Sequence, residues 1–445
     1  MIAKASVKAF VTVLLLNSLF LFLALYSASM PSERAASAAR HAFETGAFAG
    51  GDADRSFNKY SDCIIIQLIV NRVSLFDDAL APLWRGNGGA PCASLRSIVV
   101  DGRTDFEDGF GYTRYWHGTV PIAKFFLSVT DLDLTWAVLR FLVYLSCLIL
   151  GITALRAPIE VKIFACSVAG AAALFWAVAY FGKSLVHAPG DAFLMLGLAG
   201  FLFFSDRMSV RRALVPYSAA YGAGVAYLEF WTGQLPTAAG FLFAAAYLVA
   251  VVHRADNERL IVAWVTAGAS VLAFWAGAGV TVASKQMLAM MFTDAPALSM
   301  FRHSLVHYSG LPAGARASIW ERLSGFLELL RHSATLTYWS EAGAFGLGIG
   351  AMAAWCGAAL LAWYRRREGP RPISDLLAFA TGSSVSFVWA IIFSVHTAVH
   401  AVYMSRLLIL PVALGAAAFL HQAACCIAAL APRNRHRPAS VPPCL

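Results

Sequence analysis

FNKYSDCIIIQLIVNRV, residues 57–73, sets one carboxylate, Asp62, directly before an apolar run too short to cross a bilayer. Its meaning depends on what surrounds it. Of the 445 residues, 59% are hydrophobic and only 13% charged, far from the roughly 25% charged of a soluble globular domain. The chain is an integral membrane protein, all-α and polytopic. A spanning helix needs about 20 mostly apolar residues. Ten stretches qualify: 9–29, 134–155, 162–182, 191–206, 212–229, 236–252, 260–284, 343–364, 374–395 and 407–430. The shortest, DAFLMLGLAGFLFFS, reaches full length only with its flanks. The small residues of YSASM after the first stretch look like a processing site, but the apolar run exceeds the usual signal-peptide core of about 7–15 residues, which favours a retained helix.

Orientation follows from Lys and Arg. With both termini cytoplasmic, the inner segments hold Lys4 and Lys8, Arg156 and Lys162, Arg207, Arg211 and Arg212, Arg254 and Arg259, Arg365 to Arg367 with Arg371, and the tail arginines 433, 435 and 437. The short outer loops hold Lys183 and Arg406. Two long outer segments remain, 30–133 and 285–342. The net charge of +9 is therefore a topology signal, and no nucleic-acid surface is implied. Residues 1–430 read as one transmembrane domain and 431–445, ending RNRHRPASVPPCL, as a disordered basic tail.

Polar residues collect on the outer side: Asp62, Arg114, His117, Arg140, Lys183, His187, Asp191, Glu229, His303, His307, His396, His400 and Arg406. Such an asymmetry fits a reaction centre at the outer face better than a conduit. Residues 64–76 are expected to lie in the interface as an amphipathic helix with one face in lipid, and 116–129 as a second. Between them, residues 86–116 read as a solvated lobe rich in Gly and Asp turns. Cys63 and Cys92 are the two outer cysteines; a disulfide between them and two unrelated buried thiols are both open.

One span, a large outer segment with amphipathic juxtamembrane helices and an acidic residue, then many short-looped helices resembles the GT-C class of membrane glycosyltransferases. The local segments that carry the likeness are KYSDCIIIQ, RYWHGTVPIAKFFL, HAPGDA, YLEFWTGQLPT and HTAVHAVYMSR, similar to GT-C-like proteins of bacterial surface-polysaccharide clusters. The resemblance implies a bacterial inner-membrane enzyme that moves a hexosyl or pentosyl unit from a polyprenyl-phosphate donor to a glycan or lipid-linked acceptor. It also implies an acidic residue of the first outer segment as general base. Asp62 is that candidate, and Glu33 in MPSER, closer to the first span, is the second.

The chemistry is coherent. A sugar hydroxyl is a poor nucleophile near neutral pH, so a carboxylate must take its proton as the new bond forms. The departing lipid phosphate needs cations or aligned donors in a low-dielectric setting, a part for Arg406, Arg140, Lys183, His117, His187, His396 and His400. Glu229 is expected to be functional, because a carboxylate so near hydrocarbon is costly unless paired or wetted. Each also has a structural reading: Asp62 as N-cap of helix 64–76, where Asn would replace it at little cost, Asp191 as N-cap of the fourth span, and Arg140 as a snorkelling side chain. HSLVH and HTAVH set imidazoles at i and i+4, but without an acidic ligand at spacing, so no resident metal is expected. A divalent cation bridging donor phosphate and a carboxylate stays open. The competing functions are an O-antigen polymerase or ligase, favoured by the basic segment 285–342, and a multi-pass transporter, for which His421 deep in the last span is the one proton-path feature. A purely structural membrane protein is the fallback.

Overall fold

The computed structural model describes residues 2–49, 57–85, 90–103, 109–113, 116–174, 183–205, 210–229, 233–252, 259–308, Trp320, Ser324, 341–399 and 404–430. Seven of its helices are long and apolar enough to cross a membrane. They are α1 (Ile2–Ser29), α7 (Leu132–Ala154), α9 (Ala188–Ser205), α11 (Gln234–Val252), α12 (Arg259–Phe292), α15 (Arg371–Ile392) and α17 (Ile409–Leu430). At the other three expected spans the chain is helical as well, in α8 (Ile159–Ala172), α10 (Val210–Leu228) and α14 (Glu341–Arg365). Residues 175–182 of the third expected span, and the tail 431–445, lie outside the described residues.

Helix α11 occupies the centre: every residue from Gln234 to Val251 is buried, as an all-round apolar helix requires. It is surrounded by α9, α10, α12, α15 and α17. Small residues let these backbones touch. A Cβ on Gly222 of α10 would strike the Phe274 carbonyl of α12, and one on Gly277 of α12 would strike the Ala219 carbonyl of α10. Gly240 of α11 and Gly382 of α15 approach each other's carbonyls in the same way. On the outside of the bundle Phe22, Phe141, Leu148, Ile261 and Leu272 are exposed, an apolar surface of the kind a bilayer covers. The fold is that of an all-α multi-pass membrane protein.

Between α1 and α7 the chain builds a lobe. It contains α2 (Glu33–Glu44), α3 (Phe57–Val70), α4 (Leu75–Leu80), α5 (Pro91–Val99) and α6 (Thr119–Val129). Strands β1 (Leu83–Arg85) and β2 (Gly109–Gly111) pair antiparallel, with Trp84 opposite Phe110. Local signals explain the boundaries. Pro31 ends α1, Ser74 caps α4 by accepting from the Asp77 N–H at 3.1 Å, Pro91 opens α5, and Asp131 caps α7 through the Leu134 N–H at 2.7 Å. Long side chains tie the lobe together: Arg40 Nε donates to the Val99 carbonyl at 2.8 Å, and Gln67 Nε2 to the Pro91 carbonyl at 2.8 Å. Cys63 and Cys92 form a disulfide.

Three expectations change here. The segment expected at 64–76 with one face in lipid is α3, which ends at Val70 and is buried from Ser61 through Ile69. It is the core of the lobe, because α2, α5 and α6 close over it. Residues 91–99, assigned to a solvated lobe, are the helix α5, which buries Cys92, Leu95 and Val99. Helix α12 runs on to Phe292, so Lys285 belongs to a helix and not to the segment expected to begin there.

Candidate functional site

Asp62 lies in the second turn of α3, so it caps no helix of its own. It is fully buried, and both carboxylate oxygens accept. Trp136 Nε1 of α7 donates to Oδ2 at 2.7 Å, while the Leu185 N–H at 2.8 Å and the Ser184 hydroxyl at 3.2 Å donate to Oδ1. The carboxylate therefore fastens the lobe to α7 and to the turn that leads into α9. Burial pushes its carboxyl up to about 7, against the pull of those hydrogen bonds. Asn is not the neutral replacement expected for an N-cap, because its NH2 group would face a donor whichever way it turned.

The turn beyond Ser184 leads to a second buried group. Ser184 Oγ accepts from the His187 N–H at 3.2 Å, and the His187 carbonyl accepts from Gln234 Nε2 at 3.1 Å. That same amide nitrogen donates to Asp191 Oδ1 at 2.7 Å, which also receives Arg406 Nη1 at 2.9 Å. Asp191, Gln234 and Arg406 come from α9, α11 and the 3-10 turn Ser405–Leu408, and all are buried. Asp191 was expected as an N-cap; it sits inside the first turn of α9, and its side chain goes to Arg406 instead. Burial, followed by the nearby Arg406 charge, holds His187 well below the usual imidazole range, so it is neutral. Glu229 accepts from the Gly233 and Leu235 N–H groups at 3.0 and 2.7 Å, and thus caps α11. Gly233 has φ +95°, and a Cβ there would press on Leu407 and Arg406, so the cap and the ion pair share one contact surface.

A third cluster surrounds the last turn of α1. Carbonyls of that turn are met by cations, as helix C-termini favour. Lys124 Nζ of α6 donates to Ser27 O at 2.8 Å, and Arg72 donates to Ala28 O at 2.6 Å and Met30 O at 3.3 Å. Arg72 also pairs with Asp78 at 3.2 Å. A small cleft lies here, lined mostly by apolar side chains, with Ser27, Asp78, Trp116, His117 and Lys124 among its walls. His117 is buried at φ +55°, with Nε2 2.6 Å from the Tyr112 carbonyl. Burial and then the nearby Lys285 charge push it down to about 3, so this imidazole is neutral too. Burial and the Arg72 charge lower Lys124 to about 8, which leaves it mostly protonated at neutral pH. Gly118, next in sequence, donates its N–H to the Tyr227 carbonyl at 3.0 Å, joining this cluster to the strand of chain that carries Glu229.

The structure thus links Asp62, His187, Arg406 and Glu229, and sets His117 beside the cleft. Glu33 is exposed in the first turn of α2, Lys183 is exposed before the 184–187 turn, Arg140 is half-buried on α7, and His396 is buried on α16 (Ser394–Val399). His400 and Arg114 lie outside the described residues. Among the described residues no group of three or more His, Cys, Asp and Glu side chains is arranged to hold a metal. Sequence reasoning passed over Asp78 and Lys124. The lone Lys within the apolar stretch 119–129 was a signal for the second. No protein-family model, curated protein or solved structure matches the chain.

Proposed function

We propose that this protein is a glycosyltransferase of GT-C layout, with about ten spans, that moves a sugar from a polyprenyl-phosphate donor to a glycan or lipid-linked acceptor at the outer face of a bacterial cytoplasmic membrane. The observation that carries the reading is the helical lobe between α1 and α7, which brings carboxylates and cations together where it meets one end of the bundle. The Lys and Arg distribution supports an outer lobe and inner termini, and the Cys63–Cys92 disulfide suits an oxidising compartment.

In this mechanism a lobe carboxylate takes the proton of the acceptor hydroxyl as that oxygen bonds to the anomeric carbon, and the donor phosphate leaves with the electron pair. Asp62, at about 7, has the basicity for the task at neutral pH. Its oxygens are occupied in the resting fold, so acting as base requires the 184–187 turn to yield when substrates bind. Glu33 is the alternative, already exposed. Arg406 and Asp191 keep the bundle end ordered beside this turn. A divalent cation between donor phosphate and carboxylate is compatible with the scheme. The test is mass spectrometry of lipid-linked and surface glycans from a deletion strain. The expected result is an acceptor lacking one sugar together with accumulated polyprenyl-phosphate donor; an unchanged glycan profile overturns the reading.

A further inference from the structure

We infer that Trp136 is a positioning residue for the transfer proposed above: its indole N–H fixes Asp62 Oδ2, so that Oδ1 is the oxygen that takes the acceptor proton. This role rests on Asp62 as the base. It adds which oxygen reacts and what holds the carboxylate still.

The two oxygens are held from different places. Oδ2 accepts from Trp136 Nε1 at 2.7 Å. Trp136 is the fifth residue of the spanning helix α7, and the start of that helix is tied twice. The Asp131 side chain accepts from the Leu134 N–H at 2.7 Å, and the Thr135 hydroxyl lies 2.7 Å from the Asp131 carbonyl and 2.8 Å from the Thr130 hydroxyl. Phe48 of the lobe, itself buried, stands edge-on to the indole with centroids 6.2 Å apart. Helix and lobe together therefore confine the ring to the place where it meets Oδ2.

Oδ1 accepts from the Ser184 hydroxyl at 3.2 Å and the Leu185 N–H at 2.8 Å, both from the 184–187 turn that precedes α9. The first of these is a bond from an aliphatic hydroxyl to a carboxylate oxygen, the same bond a sugar hydroxyl makes before it loses its proton. Displacing the turn opens Oδ1 to such a hydroxyl while Trp136 stays on Oδ2; opening Oδ2 instead would require α7 to shift. The acceptor proton then passes to Oδ1, the acceptor oxygen bonds to the anomeric carbon, and the donor phosphate leaves with the electron pair.

Trp136 also sets how basic the carboxylate is. Burial pushes the Asp62 carboxyl up to about 7, and the Trp136 bond is the strongest of the hydrogen bonds that pull against it. The charges on the surrounding elements are turned elsewhere: Lys59 of α3 to the Ala49 carbonyl, Arg40 of α2 to the Val99 carbonyl and Lys124 of α6 to the Ser27 carbonyl. Glu33, Arg34, His41 and Glu44 of α2, Arg96 of α5 and Lys183 are exposed, and His187 is neutral. Neither these nor Arg140 of α7 acts on Asp62, which feels burial and hydrogen bonds alone.

The test exchanges the Trp136 indole of the full chain for benzothiophene, an isostere with sulfur in place of N–H, beside Trp136→Phe and Ser184→Ala. The isostere keeps the ring against Phe48, so a folding defect in Trp136→Phe leaves the test intact. In proteoliposomes the Asp62 carboxyl is titrated by infrared difference against the matching Asp62→Asn protein, and kcat for transfer from an isoprenyl-phosphate sugar is followed across pH. Loss of the indole donor should move the titration and the acid limb of kcat up together by about 1–2 pH units. Ser184→Ala should leave the kcat limb in place, because kcat reports the substrate complex, in which that bond is already broken. A kcat limb moved by Ser184→Ala but by neither Trp136 exchange overturns the role and makes Oδ2 the reacting oxygen. An Asp62 titration unmoved by benzothiophene overturns it as well. Transfer that survives Asp62→Asn, or no transfer by wild-type protein, instead sinks the base or the transferase reading itself, and the role of Trp136 falls with it.

Discussion

Replacing Asp62 by Asn separates two jobs that one carboxylate can hold. In the fold it accepts from Trp136 Nε1 on one oxygen and from Leu185 N–H and Ser184 Oγ on the other. Asn keeps one acceptor and turns an NH2 group toward the remaining donor, leaving two buried donors face to face. An unsatisfied buried polar group costs about 1–3 kcal/mol, so Asp62→Asn should lower the melting temperature in detergent measurably. Ser184→Ala removes the longest of the three bonds to Asp62 together with the oxygen that accepts from the Val186 and His187 N–H groups, and should cost about 1–3 kcal/mol while leaving the carboxylate in place. Loss of a general base costs about 10²–10⁴ in rate, well beyond what mild destabilisation removes. Asp62→Asn protein that still folds should therefore lose glycan transfer, while Ser184→Ala retains it. The pH dependence adds a second reading. The folded-state value is about 7 against an ordinary 3.8, so between those pH values the folded protein binds more protons than the unfolded chain. This contribution to stability is present in full below about pH 4 and is lost as pH rises toward 7, whereas activity should rise through about pH 7. Folded Asp62→Asn protein with near-normal transfer, measured beside inactive Glu33→Gln, would refute the base and leave Asp62 a buttress between lobe and bundle.

Arg406→Met strands Asp191 as a buried charge and should cost about 3–5 kcal/mol in thermal melts, with the Arg406→Met, Asp191→Leu double variant recovering most of it. Gly222→Ala should push α10 off the Phe274 carbonyl of α12 and cost about 1–3 kcal/mol, while Gly279→Ala, with open space around it, should be nearly silent in the same assay. Cys63→Ser with Cys92→Ser should destabilise by about 3 kcal/mol, and an impermeant thiol reagent added to whole cells should label wild-type Cys92 only after reduction.

The bundle was legible because apolar runs of spanning length have few alternatives: α1, α7, α9, α11, α12, α15 and α17 fall where their hydropathy puts them. The lobe was less so. Ile64, Ile65 and Ile66 announce burial, but composition does not say whether lipid or protein buries them, and α3 turned out to be enclosed by α2, α5 and α6. The partners of Asp62 lie 74 and 122 residues away at Trp136 and Ser184, and Arg406 meets Asp191 across 215 residues. Contacts at such separation leave no local spacing to read. Short-range signals stand at real helix starts but were passed over: Ser74 ahead of Asp77 lies inside the segment expected as one helix over 64–76, Pro91 opens α5 within the expected solvated lobe, and Asp131 opens α7. His421, singled out as a proton-path feature, is held by Asp375 at 2.9 Å, which also accepts from Tyr247 and pairs with Arg371. Arg371 in turn reaches Glu160 at 3.3 Å, so this group ties α8, α11, α15 and α17 at the end of the bundle away from the lobe.

Sugar transfer by the purified protein is the most direct test. Proteoliposomes holding the full chain would be given radiolabelled sugar on isoprenyl phosphate, with acceptor glycan extracted from the deletion strain. The account predicts label in the acceptor with wild-type protein and none with Asp62→Asn. Failure to transfer from any isoprenyl-phosphate sugar, accompanied by protein-dependent passage of the labelled lipid or of a soluble solute across the bilayer, would contradict it and make the chain a transporter.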